Sequence, residues 1–237
     1  MDDAAPIRAG SAAWWIARTE NADDRPRRRR MLSLVLIADT ALSLLDTEGA
    51  EALTMRRLAQ RLQCSQAALY RHVTSRDELL VVAMDRAVVL GLPSPPEGLD
   101  WRRTAEWQAH AFRDFLLAHP ALVAFMRGTE RLSPSSLAGL EFALGQFTGI
   151  GLSLREAYAT ASAFATFVVG SVQFNLGVDT ADPQEQRMRQ RLYEGLDPHR
   201  HPIMVAHAEE LSRMGSREEF EFGLAALLDG VEARIAR

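Results

Sequence analysis

Apolar residues recur at three- and four-residue spacing along almost the whole chain, and that period predicts helices. From Arg29 to Leu45 it is kept by Leu32, Val35, Leu36, Ala38, Leu42 and Leu45, and "TEG" at 47–49 supplies a stop. Thr54 is placed to cap a second helix reaching Leu62, and Ser65 a third reaching about His72. "SRDE" at 75–78 reads as a capping box opening a fourth helix that runs to Leu90. The stretch GLPSPPEG, 91–98, interrupts the pattern. The period then resumes over 101–119, over 134–150, after "SLRE" at 153–156 as far as about Leu176, and after "DPQE" at 182–185 as far as Gly195. It continues over 202–214 and in a last helix launched by "SREE" at 216–219. No segment sustains the two-residue alternation of a strand, and no internal repeat is present. The expected fold is all-α, with nine or ten helices in an N-terminal three-helix helix-turn-helix domain (25–90) and a larger helical domain (91–237). Residues 1–24 hold no sustained period and read as a mobile arm, in which Trp14 and Trp15 either pack on the body or cap a short helix.

The segment "LAQRLQCSQAALYRHV", 58–73, joins two short amphipathic helices through a turn of four residues or fewer, which is helix-turn-helix geometry. In that arrangement Leu58, Ala59, Leu62, Leu69 and Val73 pack inward, and the polar end of the third helix is free to enter a major groove. Gln66 has the donor and acceptor pair that matches an adenine edge, Ala67 and Ala68 leave room for a thymine methyl, and Arg71 suits guanine or a phosphate. Tyr70, His72, Arg56 and Arg76 suit phosphates, which position a protein without reading sequence. Thr54, Met55 and Ser65, at the two helix starts, complete the DNA-facing set together with Arg27 and Arg28. These two belong to the run Arg27–Arg30, which with Arg25 is suited to follow the backbone or enter a minor groove.

Charge sharpens this picture. The net charge of -4 conceals a basic front: residues 25–76 hold ten arginines against four acidic residues, a net of +6, whereas 91–237 hold fourteen arginines against nineteen acidic residues, a net of -5. The longest apolar run is broken well short of the roughly 18 to 20 residues of a membrane span, and the first fifteen residues have neither a basic head nor a long apolar stretch. With one cysteine, Cys64, no intramolecular disulfide can form; a cytoplasmic protein is expected, with no membrane partner. Of the histidines, His110, His119, His199, His201 and His207 have no cysteine or nucleophile motif beside them, and "GIG" at 149–151 follows no strand, so no enzyme chemistry, cofactor or metal is expected.

The stretch "ALSLLDTEGAEALTMRRLAQRLQCSQAALYRHVTSRDELL", 41–80, resembles the TetR family of bacterial repressors nearly throughout. Gln63 stands where that family commonly has Gly, and Arg76 where Lys often precedes the fourth helix. "DWRRTAEWQAHAFRDFLLAHP", "RGTE", "GLSLREAYATASAFATFVVGSV" and "EFEFGLAALLDGVEARI" resemble, in order, the effector domain of the tetracycline-repressor subclass. The resemblance implies a homodimer formed through a four-helix bundle, a double-stranded operator as partner, and one small molecule bound per subunit. The helix over 155–176 is rich in small residues and the last helix is apolar on more than one face, which fits such a dimer.

Candidates to line the ligand cavity are Phe112, Phe115, Met126, Phe142, Phe147, Phe164, Phe167 and Phe174, with Thr129, Gln146 and Thr166 as orienting polar groups. Tetracycline repressors hold a magnesium chelate with His and acidic residues, whereas the corresponding places here carry Met126, Thr166 and Phe174, and Thr129 alone matches. Thioether and phenyl groups do not bind a hard cation, so the expected effector is a small apolar organic molecule without metal. The alternative is a DNA-binding regulator controlled by a protein partner or by oxidation of Cys64.

Overall fold

The computed structural model describes residues 7–20, 32–125, 132–175 and 182–236. Among these the regular elements are thirteen α-helices and one short 3-10 turn, with no strand. The helices in excess of nine or ten have local causes. Helix α1 (Ala12–Glu20) occupies the expected mobile arm, α7 (Pro120–Phe125) starts afresh at Pro120, and the segment over 202–214 breaks at His207 into α11 (Pro202–Ala206) and α12 (Ala208–Arg213). Of the expected mobile arm 1–24, the described part begins at residue 7 and holds a helix over 12–20 that includes Trp14 and Trp15. By internal contacts the chain forms two compact units, Met1–Ala161 and Ser162–Arg237.

In the first unit the predicted caps at Thr54, Ser65, Ser75 and Ser153 are made as hydrogen bonds, and Ser33, Asp100 and Ser133 add caps that were not predicted. Ser33 precedes α2 (Leu34–Glu48) and accepts from the Leu36 N–H, so this helix begins at Leu34 and not at Arg29. Thr54 accepts from the Arg57 N–H to start α3 (Met55–Arg61), and Ser65 accepts from Ala68 to start α4 (Gln66–Tyr70). Ser75 accepts from Glu78 to start α5 (Arg76–Gly91), and Asp100 accepts from Arg103 to start α6 (Trp101–Ala118). Ser133 does the same for α8 (Pro134–Gly149). Each such cap offsets about 1 kcal/mol of unsatisfied backbone. At α9 (Leu154–Asn175) the capping box is reciprocal, with Glu156 accepting from the Ser153 N–H at 3.0 Å. At α5 the box is displaced by one residue: Glu78 reaches the Thr74 N–H, at 2.8 Å, and not that of Ser75.

Helices α2 and α5 pack on each other, and both bury an apolar face: Ile37, Ala41, Leu44 and Leu45 on the first, Leu79, Val82, Ala83 and Ala87 on the second. Burying each of the larger side chains contributes up to about 1.5–3 kcal/mol. Arg86 of α5 fixes the pairing by donating to Asp39 of α2 at 2.6 Å. Its neighbour Asp85 accepts from the Ser135 N–H in the first turn of α8, at 2.9 Å. At the far end of α5 a β-carbon on Gly91 would stand 2.8 Å from the Phe115 ring, so only glycine lets α6 lie this close. His119, at the end of α6, lies 2.9 Å from Asp46 of α2 through Nδ1.

In the second unit α10 (Pro183–Glu194), capped by Asp182, packs on α11 and α12. Helix α13 (Ser216–Ile235) buries Phe220, Leu224, Leu228 and Val231. Its cap position is Gly215, and Ser216, the expected cap, is its first helical residue. Phe167 stacks on Phe220 at 5.3 Å and lies so close to Gly223 that a β-carbon there would stand 2.5 Å from the ring. Helix α9 is long and apolar enough in composition to cross a membrane, which the sequence reading did not anticipate, and little of its apolar stretch is buried.

The turn from α3 to α4, residues 62–65, closes as a Schellman motif: the Gln63 N–H donates to the Gln60 carbonyl and the Cys64 N–H to that of Ala59. The motif needs one residue in the left-handed region, and Gln63 takes it with φ 52°. A side chain there costs up to about 1 kcal/mol relative to glycine. Gln63→Gly is therefore expected to raise the free energy of unfolding by up to about 1 kcal/mol in urea titrations; a loss of stability would contradict this reading of the turn.

Candidate nucleic-acid interface

A helix of five residues is unstable alone, and α4 is held by what lies beneath it. Leu58, Ala59, Leu69 and Val73 are buried as expected, and Leu62 is half-buried. The opposite side of α4 exposes Gln66, Ala67, Tyr70 and Arg71, while Ala68 and His72 are half-buried. At the start of α3, Thr54 and Arg56 are exposed and Met55 is half-buried; Ser65 is exposed at the start of α4. Exposed donors and cations are thus contributed by two helix starts and one short helix: Thr54, Arg56, Ser65, Gln66, Tyr70 and Arg71.

Arg76, expected at a phosphate, is exposed and also engaged within the fold. Its Nε donates to the Leu53 carbonyl at 3.1 Å and its Nη2 to that of Ala50 at 2.7 Å, so the guanidinium braces the link between α2 and α3. Arg57 and Arg61 both reach Glu48, at 3.1 and 3.4 Å, so among the described residues Arg56 and Arg71 are the arginines of α3 and the end of α4 that make no ion pair. Arg27 and Arg28 lie outside the described residues. Cys64 is half-buried in the turn.

Behind α4, Glu78 gathers four groups. Its carboxylate accepts from the Thr74 N–H at 2.8 Å, the Thr74 hydroxyl at 2.7 Å and the Trp14 indole N–H at 2.9 Å, with the Arg18 guanidinium 4.0 Å away. Partial burial by itself would raise the Glu78 pKa, but the three hydrogen bonds and the Arg18 charge together outweigh it and hold the carboxyl below its ordinary value. Trp14 packs on the body, one of the two alternatives left open from sequence, whereas Arg18 carried no signal there.

Residues 37–83 match the family described as "Bacterial regulatory proteins, tetR family", and residues 92–235 match "Tetracyclin repressor-like, C-terminal domain". The chain belongs to the TetR family of bacterial regulators. It is similar to an HTH-type transcriptional regulator of Saccharopolyspora erythraea, with 30% identity over 79% of this chain and 81% of that one. Similarity to the class C tetracycline repressor of Escherichia coli is 30% over 81% of this chain and 87% of the relative. Among solved structures, ActR of Streptomyces coelicolor in complex with actinorhodin superposes with a TM-score of 0.76 at 29% identity, covering 87% of this chain and 99% of ActR. The TetR-family chain is thus a DNA-binding transcriptional regulator and not an enzyme.

The effector-lining candidates of this TetR-family regulator divide between the two units. In the first, Phe112 is half-buried and stacked with buried Phe115 at 6.4 Å, Phe147 is buried, and Phe142 is 45% exposed. Gln146 donates to the Trp101 carbonyl at 2.7 Å and keeps its other amide atom, Oε1, buried with no hydrogen-bond partner. In the second, Phe164 and Phe167 are half-buried, Thr166 is exposed and Phe174 is 89% exposed. Met126 and Thr129 lie outside the described residues. A groove of about 550 Å³ that the sequence reading did not foresee runs between α2 and α5, lined by Asp39, Leu42, Asp46, Arg86 and Leu90.

Because the Glu78 pKa is lowered on folding, its contribution to stability is fully present above the ordinary carboxylate value of 4.5 and is lost as pH falls through the lowered one. The stability difference between the native chain and Glu78→Gln should be constant at neutral pH and shrink in acid; a difference that grows on acidification would reverse the sign.

Proposed function

We propose that this TetR-family regulator binds a pseudo-palindromic operator as a homodimer, represses transcription, and is released by a small apolar organic effector. The observation that carries the reading is the exposed edge of α4: Gln66, Ala67, Tyr70 and Arg71 face outward from an apolar floor, at the chain's most basic end. In this reading Gln66 and Arg71 address base edges, Ala67 and Ala68 meet thymine methyls, and Thr54, Ser65, Tyr70, His72 and Arg56 meet phosphates around Met55. Arg27 and Arg28 add backbone or minor-groove contacts in the same reading. Residues 25–90 serve as the reader and 91–237 as effector and dimerisation domain, in the cytoplasm; the family segments 37–83 and 92–235 support that division.

Two apolar faces support the dimer. On α9, Ala159, Ala163 and Thr166 lie exposed along one stripe that ends at Phe174, and on α13 Phe222, at 79% exposure, stands beside exposed Ala225 and Ala226. A second copy would bury both faces and set two α4 helices at a fixed separation. This also accounts for the apolar surface of α9 without a lipid partner.

The effector reading keeps the candidates named from sequence, Phe112, Phe115, Phe142, Phe147, Phe164, Phe167 and Phe174 with Gln146 and Thr166 as polar groups, and Met126 and Thr129 outside the described residues. The buried Oε1 of Gln146 offers an acceptor to a donor on the ligand. Similarity to ActR, solved with actinorhodin, supports an organic effector. Helix α5 is the lever, since it contacts α2 through Arg86 and α8 through Asp85, and the bond from His119 to Asp46 gives α6 a second grip on the reader. A ligand that prefers a conformer with misplaced α4 helices shifts the population by a coupling of about 1–3 kcal/mol.

Selection of bound duplex from a random pool, repeated with a library of apolar compounds, tests all parts together. A two-fold symmetric site is expected. Gln66→Ala should relax preference at one base pair of each half-site by about 1–3 kcal/mol, and Arg71→Ala should weaken binding and reduce its salt dependence or its guanine preference. Recovery of duplex that is equally well held with and without every compound, at matched salt, would remove the effector; recovery of no common sequence would remove the reader.

A further inference from the structure

Helix α1 lies outside both family-matching segments, yet it is attached to the reader at the point where α4 hands over to α5. Its start is fixed by Ser11, whose hydroxyl accepts from the Trp14 N–H at 3.3 Å. One turn later Arg18 stacks over the Trp14 ring, 4.8 Å from its centroid, a cation–π contact made where Trp14 is only 7% exposed. From there two bonds run to the reader, across 54 and 64 positions of sequence. Arg18 Nη2 donates at 2.8 Å to the carbonyl of His72, just past the last turn of α4, and Trp14 Nε1 donates at 2.9 Å to Glu78 in the first turn of α5.

These contacts bracket the connection 71–75. On one side the Arg18 guanidinium takes a carbonyl that α4 leaves behind as it ends. On the other, Glu78 is held by Trp14 and itself holds Thr74 by both its N–H and its hydroxyl. A helix of five residues has one strong apolar anchor, Leu69, and the floor beneath it leaves its tilt about that anchor to the residues at its ends. Base readout needs donors held to within a fraction of an ångström, so whatever fixes this tilt governs discrimination more than total attraction.

We propose that α1 is a strap that sets the angle of α4 against α5, with Trp14 and Arg18 as positioning residues for operator recognition. The proposal rests on the reading of α4 as the recognition helix.

The test compares full-length Trp14→Phe, which keeps a ring and removes the indole N–H, and Arg18→Met, which keeps the aliphatic stem and removes the guanidinium. Arg18→Lys is the conservative rescue, and Ile16→Ala, at an exposed position of the same helix, is the control. Each is titrated against the selected duplex and against a scrambled duplex of equal length and composition. Trp14→Phe and Arg18→Met should each lower the ratio of specific to scrambled affinity about tenfold, with scrambled binding unchanged within about twofold, Arg18→Lys should recover part of the loss, and Ile16→Ala should match the native chain. In the DNA-free protein, Arg18→Met should also speed amide exchange across 70–75. An unchanged ratio together with unchanged exchange, or specific and scrambled affinities that fall in parallel, would overturn the strap. Gln66→Ala and Arg71→Ala separate the two claims. If they collapse the ratio while the α1 variants do not, the strap alone fails; if they too leave it intact, the reading of α4 fails and the strap with it.

Discussion

The reading helix exists because an apolar floor lies under it. Leu58, Leu69 and Val73 are fully buried, as are Leu53 and Leu79 in the segments on either side, and together they give α4 the stabilisation that five residues cannot generate from backbone hydrogen bonds. Everything polar on α4 is thereby freed from holding the fold. The same division recurs at the turn: the Schellman bonds of Gln63 and Cys64 close the chain through its backbone alone, so no side chain of α4 is consumed in making the corner.

The caps made much of this legible. Thr54, Ser65, Ser75, Ser153 and Asp182 each combine a short acceptor side chain with an apolar period downstream, and the structure starts a helix at every one. Such signals act within three or four residues, which is why a sequence displays them. For α1 the tryptophan pair left alternatives open, because its stabilising partners, His72 and Glu78, are distant in sequence and no local period announces them. The carbonyl bonds of Arg76 were illegible for the same reason: that Ala50 and Leu53 await its guanidinium is a fact of tertiary geometry.

The effector half was legible by face and illegible by neighbour. The period on α13 separates Phe220, Leu224, Leu228 and Val231, which the chain buries, from Phe222, Ala225 and Ala226, which it leaves exposed. Among the rings offered for a cavity, Phe115 and Phe147 are core, Phe167 is locked against Phe220 and Gly223, and Phe142 and Phe174 are exposed. Periodicity says which way a ring points on its helix; what covers it depends on elements far along the chain.

Asp85 and Arg86 sit side by side on α5, about 100° apart around its axis, and grip different neighbours: the start of α8 and the side of α2. Rolling α5 about its own axis would stretch both bonds at once. Tilting or sliding the helix as a rod, with its two neighbours carried along, leaves both intact. The torsional freedom of this helix is therefore spent, and any message it carries must travel as displacement.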